Sequence, residues 1–234
     1  MSRCKEIQQA LRSLGDKEIA QHSRKFFKTA RGEYGEGDQF IGVRVPVTRK
    51  IANTYKNTPL IEIEKLLSSK FHEERLLAVI MLANVAKTAD EQLLKTLYQI
   101  YIKNSKYINN WDIVDSSAPH IVGKYLYNNN RSPLYKFARS RSLWEKRISI
   151  ISTLYFIKQD DYTDTLAIAE ILLNDSHDLI HKACGWMLRE VGNRNIEAEE
   201  AFLRQHYQHM PRTMLRYAIE KFPEVKRQKY LRKF

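Results

Sequence analysis

Glycine and proline are scarce in this chain, eight and six among 234 residues, and four of the glycines crowd between Gly32 and Gly42. Long stretches therefore lack the residues that interrupt helices. Cysteine is scarcer still. Cys4 and Cys184 stand far apart, with no CxxC pair and no Cys/His cluster, so neither a disulfide framework nor a structural zinc is expected, and the thiols read as reduced. No apolar run approaches the ~20 residues that span a bilayer. The N-terminal MSRCKEIQQALRSLG lacks the apolar centre of a secretory signal. A cytoplasmic protein with no membrane partner is expected. Acidic residues are the minority charge, 27 against 39 Lys and Arg, for a net charge of +12. With 43% hydrophobic residues the chain is too apolar for a disordered polycation. The excess positive charge favours a polyanionic partner.

What is present is helical periodicity. Apolar residues recur at three and four positions in HEERLLAVIMLANVAK, EQLLKTLYQIYIKN, EKRISIISTLYFIK, TLAIAEILLN and HDLIHKACGWMLREVG. Asn, Asp, Ser or Pro bounds each stretch. Alternation of period two is confined to QFIGVRV. The fold class is all-α.

The helices also repeat. Arg75, Trp111, Arg147 and Lys182 recur at intervals of ~36 residues, and Arg212 follows at a shorter step. Each marks a helix that follows another helix and a short turn. Neither helix of such a pair buries its apolar stripe alone, so pairs stack, and the spacing predicts a HEAT-like solenoid with a concave basic groove. One array over 1–234 is expected: N-terminal helices over about 1–28, a glycine-rich loop over about 29–45, and helix pairs over about 46–234. Four of the five register residues are basic. One turn later the register reads Val79, Asp115, Ile151, Trp186 and Arg216, a mixed strip. Lys182, Arg189, Arg212 and Arg216 are the expected phosphate contacts.

Two local patterns carry less than they suggest. The loop GEYGEG holds Glu33, Glu36 and Asp38, which would repel a phosphate. It also lacks the GK[ST] ending of a P-loop, so it reads as a structural turn. Arg44, Arg49 and Lys50 around Pro46 remain candidates for the phosphate backbone. His177 and His181 have a metal-capable i, i+4 spacing but no HExxH glutamate, and they read as surface histidines. No cofactor or metal is expected.

NNWDIVDSSAPHIVGKYL, residues 109–126, is the informative segment. Trp111 and Asp115 share one helix face, one turn apart. Pro119 then kinks the helix at the carbonyl of Asp115. No Ser–His–Asp or Cys–His set is evident. A lone carboxylate beside aromatics in a cationic groove suits hydrolysis at a sugar C1, where the transition state resembles an oxocarbenium ion. Indole faces would hold the sugar or a cationic base. A helix-start Asp with a core Trp, a non-catalytic nucleic-acid-binding scaffold and a protein–protein adaptor are the alternatives on residues alone.

NNWDIVDSSAPHIVG, WEKRISIIST, HKACGWMLREVG and GEYGEGDQFIGVRVP together resemble the AlkD-like DNA alkylation repair family, over about Phe26 to Phe222. The resemblance implies a HEAT-like solenoid that excises N3- and N7-alkylated purines from duplex DNA without flipping the base; a monomer, associated with the nucleoid through DNA binding, is expected. It assigns the family's essential tryptophan and aspartate to Trp111 and Asp115, its next-repeat arginine to Arg147 and its second tryptophan to Trp186. The family's N-terminal aromatic has Phe26 and Phe27 as its nearest counterparts.

Overall fold

A computed structural model describes residues 2–232. Met1, Lys233 and Phe234, the ends of the expected 1–234 array, lie outside the described residues. The protein is all-α, and its one β-type pairing among the described residues is an isolated parallel bridge between Gln39 and Phe71. The QFIGVRV stretch thus supplies a single rung, closed by the His72 amide donating to the Gln39 carbonyl at 2.8 Å. No described helix is long and apolar enough to cross a membrane.

The chain divides into two compact units, Met1–Ile121 and Val122–Phe234. The first holds α1 (Arg3–Arg12), α2 (Lys17–Phe26), α3 (Val45–Thr54), α4 (Leu60–Leu67), α5 (His72–Thr88), α6 (Glu91–Lys103) and α7 (Trp111–Asp115). The starts are chemically marked. Asp16 accepts from the amides of Glu18 and Ile19, Asp90 from Leu93, and Asn110 from Trp111, satisfying donors that the helix leaves open. Pro46 enters the first turn of α3, where its missing N–H costs nothing.

Helix α5 is the axis of this unit. Leu76 through Leu82 are all buried, so it is apolar on every side, as a central helix must be. Its first turn, His72-Glu73-Glu74-Arg75, is buried as well and still polar; its charged groups are paired, and Arg75 Nε is the atom of this turn left without a hydrogen-bond partner among the described residues. The Glu73 carboxylate accepts from the amides of Ile41, Gly42 and Val43 at 2.9, 2.8 and 3.3 Å. Glu74 accepts from Arg12, Gln8 and Ser69 at 2.6, 2.7 and 2.6 Å. The glycine-rich loop is therefore structural, held from below by a glutamate. Gly42 has φ +89, and a Cβ there would lie 1.9 Å from the Asp16 carbonyl oxygen. Only glycine tolerates both conditions. Two of the loop acids serve local turns: Glu33 accepts from Ala30 and Glu36 from Gly32.

The expected kink at Pro119 is a complete break. Helix α7 closes at Asp115, and a π-helical turn follows over Pro119–Gly123. Proline offers no N–H to the ladder, while the Ser117 hydroxyl donates to the Ile113 carbonyl at 2.6 Å and pairs with the Tyr101 hydroxyl at 3.1 Å. These buried contacts end α7 where the sequence pattern alone would carry it forward.

The second unit holds α8 (Lys124–Tyr127), α9 (Ser132–Ala138), α10 (Leu143–Ser152), α11 (Leu154–Ile157), α12 (Thr163–Ile171), α13 (Asp178–Arg194), α14 (Ile196–His206), α15 (Arg212–Ala218) and α16 (Glu224–Leu231). Ser142 caps α10 by accepting from the Glu145 amide at 3.3 Å. Helix α13 packs against α10, α14 and α15. A Cβ at Gly185 would sit 2.4 Å from the Met214 carbonyl oxygen, so this glycine sets the close approach of α13 to α15.

Helices α5, α7, α10, α13 and α15 each begin at or just before a register residue. Of the four basic register residues, Lys182 is half-buried and Arg212 exposed, and the other two are buried. Arg75 and Arg147 are 3% and 5% exposed, and Val79 and Ile151 are fully buried. Arg75 is the fourth residue of its helix, Trp111 the first and Arg147 the fifth. A slip of one residue turns a side chain by about 100°, so equal chain spacing does not preserve facing.

Candidate active site

Asn110, 0% exposed, starts α7 by accepting the Trp111 amide on its own side chain at 2.8 Å. That leaves Trp111 at the first helical position, half-buried, with its ring in an aromatic group. Phe27 stacks on it at 5.3 Å between centroids and 23° between planes; Phe26 meets it edge-on at 5.9 Å and 69°. Phe26 is 57% exposed. The N-terminal aromatics singled out in the sequence therefore converge on the tryptophan of WDIVD. Phe27 continues the stack to Phe40 at 5.2 Å, and both rings face the imidazole of His72, at 4.8 and 4.7 Å.

An open cleft of about 770 Å³ lies beside this group, with Phe27, Phe40, Val43, Leu76 and Trp111 among its apolar walls and Glu18, Arg44 and Asp112 among its polar ones. Helices α2 and α3 flank the space, and α2 buries little more than Ala20, which leaves its Phe26 side open.

Asp115 ends α7, half-buried, one turn below Trp111. It is not a helix-start cap, since Asn110 has that role. At the C-terminal end of a helix a carboxylate gains nothing from the helix dipole. Its charge is felt by Tyr101: burial raises that phenol well above its ordinary range, the Ser117 hydrogen bond offsets part, and Asp115 adds to the rise.

The sequence marks Asp38 only as a loop acid and does not single out His72 or Asp112. His72 Nε2 lies 2.8 Å from Asp112 Oδ2, and Nδ1 lies 3.1 Å from Asp38 Oδ2. Asp38 also accepts from Arg75 Nη2 at 2.5 Å. Burial works against a charged imidazole, but Asp112 and Asp38 outweigh it and push His72 up to about 9. Burial likewise opposes the Asp38 carboxylate, and His72 with Arg75 still holds it below its ordinary range. The available signal was the first acid of WDIVD, Asp112, directly after the tryptophan.

The remaining candidates belong to the second unit. Arg147, buried in α10, donates from Nη1 to the Leu179 carbonyl at 2.6 Å, so it is a built-in cation rather than a loose phosphate contact. Trp186 of α13 is half-buried and donates from Nε1 to Glu190 at 2.9 Å. Lys182 pairs with Asp178 at 2.8 Å, and Arg189 pairs with Glu220. Arg212 and Arg216 are exposed on α15; Arg212 donates to the Leu231 carbonyl at 2.8 Å. His177 accepts the Leu179 amide at the start of α13, and His181 Nε2 lies 2.6 Å from the Asp175 carbonyl. No group of three or more metal-capable side chains occurs among the described residues. Both cysteines are buried, and burial first of all raises both thiols.

No curated protein matches this sequence. The fold resembles a structure described as a predicted DNA alkylation repair enzyme from Enterococcus faecalis, with a TM-score of 0.71 at 14% identity, covering 90% of this chain and 97% of that one. At that identity the likeness speaks for the fold alone. The family model for DNA alkylation repair enzymes matches residues 7–222, a span that contains both acids of WDIVD, the aromatic group and α13. The chain belongs to the DNA alkylation repair enzyme family.

Proposed function

We propose that this protein is a DNA glycosylase that hydrolyses the N-glycosidic bond of N3- and N7-alkylated purines in duplex DNA. The observation that carries the reading is the Trp111–Asp115 pair: one indole, braced by Phe27, one helical turn from a half-buried carboxylate. Family membership makes DNA the substrate and alkylation repair the role. The lesion supplies the rest of the chemistry. An N3- or N7-alkylpurine carries a formal positive charge, so the C1′–N bond breaks with its electron pair passing to the base, which leaves neutral. No general acid is needed. Asp115 stabilises the oxocarbenium ion electrostatically and orients the water that attacks C1′; the proton that water loses passes through Asp115 to solvent. Trp111 offers an apolar and cation-attracting face to the sugar.

We further read the base as remaining stacked, the protein meeting the deoxyribose from the backbone side, which avoids an unstacking cost of a few kcal/mol. The helix pairs over about 46–234 are read as HEAT-like repeats, and the resemblance adds Arg147 and Trp186 to the reactive residues and Lys182, Arg189, Arg212 and Arg216 to the phosphate contacts.

The test is single-turnover release of 3-methyladenine and 7-methylguanine from methylated duplex DNA by the wild type and by Asp115→Asn. The amide keeps shape and loses charge, so release should fall on the order of 10²–10³-fold with melting temperature and DNA affinity retained. Wild-type rates in the variant would overturn Asp115 as the reactive carboxylate. DNA binding without release by the wild type would return the protein to a non-catalytic scaffold.

A further inference from the structure

We propose that His72 is a positioning residue for Trp111, through which the glycine-rich loop fixes where α7 begins and how the indole faces the substrate. The inference rests on the reading of Trp111 as the group that meets the lesion's sugar.

The imidazole has acceptors on both sides. Its Nδ1 faces Asp38 of the loop and its Nε2 faces Asp112 of α7, at 3.1 and 2.8 Å. A neutral imidazole carries one N–H and could satisfy only one of these carboxylates, so the arrangement calls for an imidazolium with both nitrogens donating. The charges then balance locally: Asp38 and Asp112 against His72 and Arg75, with Arg75 Nη2 on Asp38 at 2.5 Å. Glu73, the next acid on α5, is engaged by three loop amides. The other titratable ring near the group, His22, stacks on Phe26 at 6.4 Å.

Two routes lead from this cation to Trp111. Asp112 is the tryptophan's neighbour in the chain, so the His72–Asp112 bond pins the first turn of a helix only five residues long. So short a helix has almost no stability of its own. The second route is through rings: His72 lies against Phe27, whose ring stacks on Trp111. Phe40 backs the imidazole at 4.7 Å and 22°, a cation over an aromatic face. His72, Asp112 and Trp111 all line the same cleft, so a shift at the imidazole reaches the substrate-facing wall directly. An asparagine cap fixes the Trp111 amide but leaves the indole free to rotate; the stack beneath it does not.

The experiment follows the indole N–H resonances of Trp111, Trp144 and Trp186 in the full-length protein by ¹⁵N-edited NMR, assigning Trp111 with Trp111→Phe. In the wild type the Trp111 resonance should titrate on the alkaline side with the same midpoint as the His72 ring protons, while those of Trp144 and Trp186 stay still. His72→Gln should shift the Trp111 resonance and abolish that titration. In single-turnover assays the same variant should lose about 10²-fold in excision, the scale of an ångström's misplacement of a reacting group, with affinity for undamaged duplex unchanged. Should His72→Gln fail to fold, Asp38→Asn, which removes the loop carboxylate from His72 and Arg75, is measured in its place: the Trp111 resonance should shift, and its titration should persist with a midpoint lowered together with that of the His72 ring protons. A Trp111 resonance that ignores both the titration and the substitution overturns the inference. Absence of excision in the wild type would instead overturn the glycosylase reading, and the NMR arm would still decide the role of His72.

Discussion

Phe27 lies nearly parallel to Trp111, ring centroids 5.3 Å apart, although 84 positions separate the two residues in the chain. The contact joins the end of α2 to the start of α7. It turns the tryptophan of WDIVD from an isolated aromatic into one face of a layered group with Phe40 and His72 behind it.

This layering bears on the two tryptophans. Trp111→Ala removes a half-buried ring in contact with two aromatic neighbours, Phe26 and Phe27, whereas Trp186→Ala removes a half-buried ring hydrogen-bonded to Glu190 of its own helix. Both variants should lose excision with small effects on affinity for undamaged DNA. Thermal melts check the alternative: full core tryptophans cost roughly 3–5 kcal/mol on truncation to Ala, and these half-buried ones should cost clearly less, Trp186 least.

Binding to duplex DNA should be steeply salt-dependent and weakly sequence-selective, since phosphate contacts release counterions. The exposed cations are the ones to remove. Arg212→Ala with Arg216→Ala should flatten the slope of log K against log salt by about 1–2. Arg147→Ala, which deletes a buried group, should lower the melting temperature far more than the slope. Titrations at several salt concentrations, paired with melts, separate the two.

His72 also predicts a pH dependence of stability. Its folded value of about 9 exceeds the ordinary 6.5, so its contribution is fully present below 6.5 and is lost as pH rises from there through 9. The loss should be on the order of 3 kcal/mol. Melting temperature should therefore decline across that window in the wild type and decline less in His72→Gln.

Glu199 sets a second window. It is 1% exposed on α14, its Oε1 has no hydrogen-bond partner, and its carboxyl packs on Gly192 of α13. Burial, chiefly, and the nearby Glu200 push it up to about 8 from 4.5, against the pull of Arg189 and Lys226. A raised acid favours folding at low pH, and that advantage drains away between 4.5 and 8. Glu199→Gln should raise the melting temperature at pH 8 by several degrees and leave it nearly unchanged at pH 4.5.

Much of this was legible in the chain because it is local. Sparse glycine and proline with three-and-four periodicity dictate helices, and Asp16, Asp90, Asn110 and Ser142 mark where some of them start. The WDIVD spacing by itself places Trp111 and Asp115 on one face, since a helix repeats every 3.6 residues. Tertiary structure decided what surrounds them. Burial of Arg75 and Arg147 depends on the helical phase at which each chain segment enters its helix, and no chain spacing records that phase. The break after Asp115 depends on a Tyr101–Ser117 contact from another helix. The Asp38–His72–Asp112 bridge joins three segments whose meeting is imposed by the burial of α5, and a buried carboxylate finds its cation by proximity in space, whatever the separation in sequence.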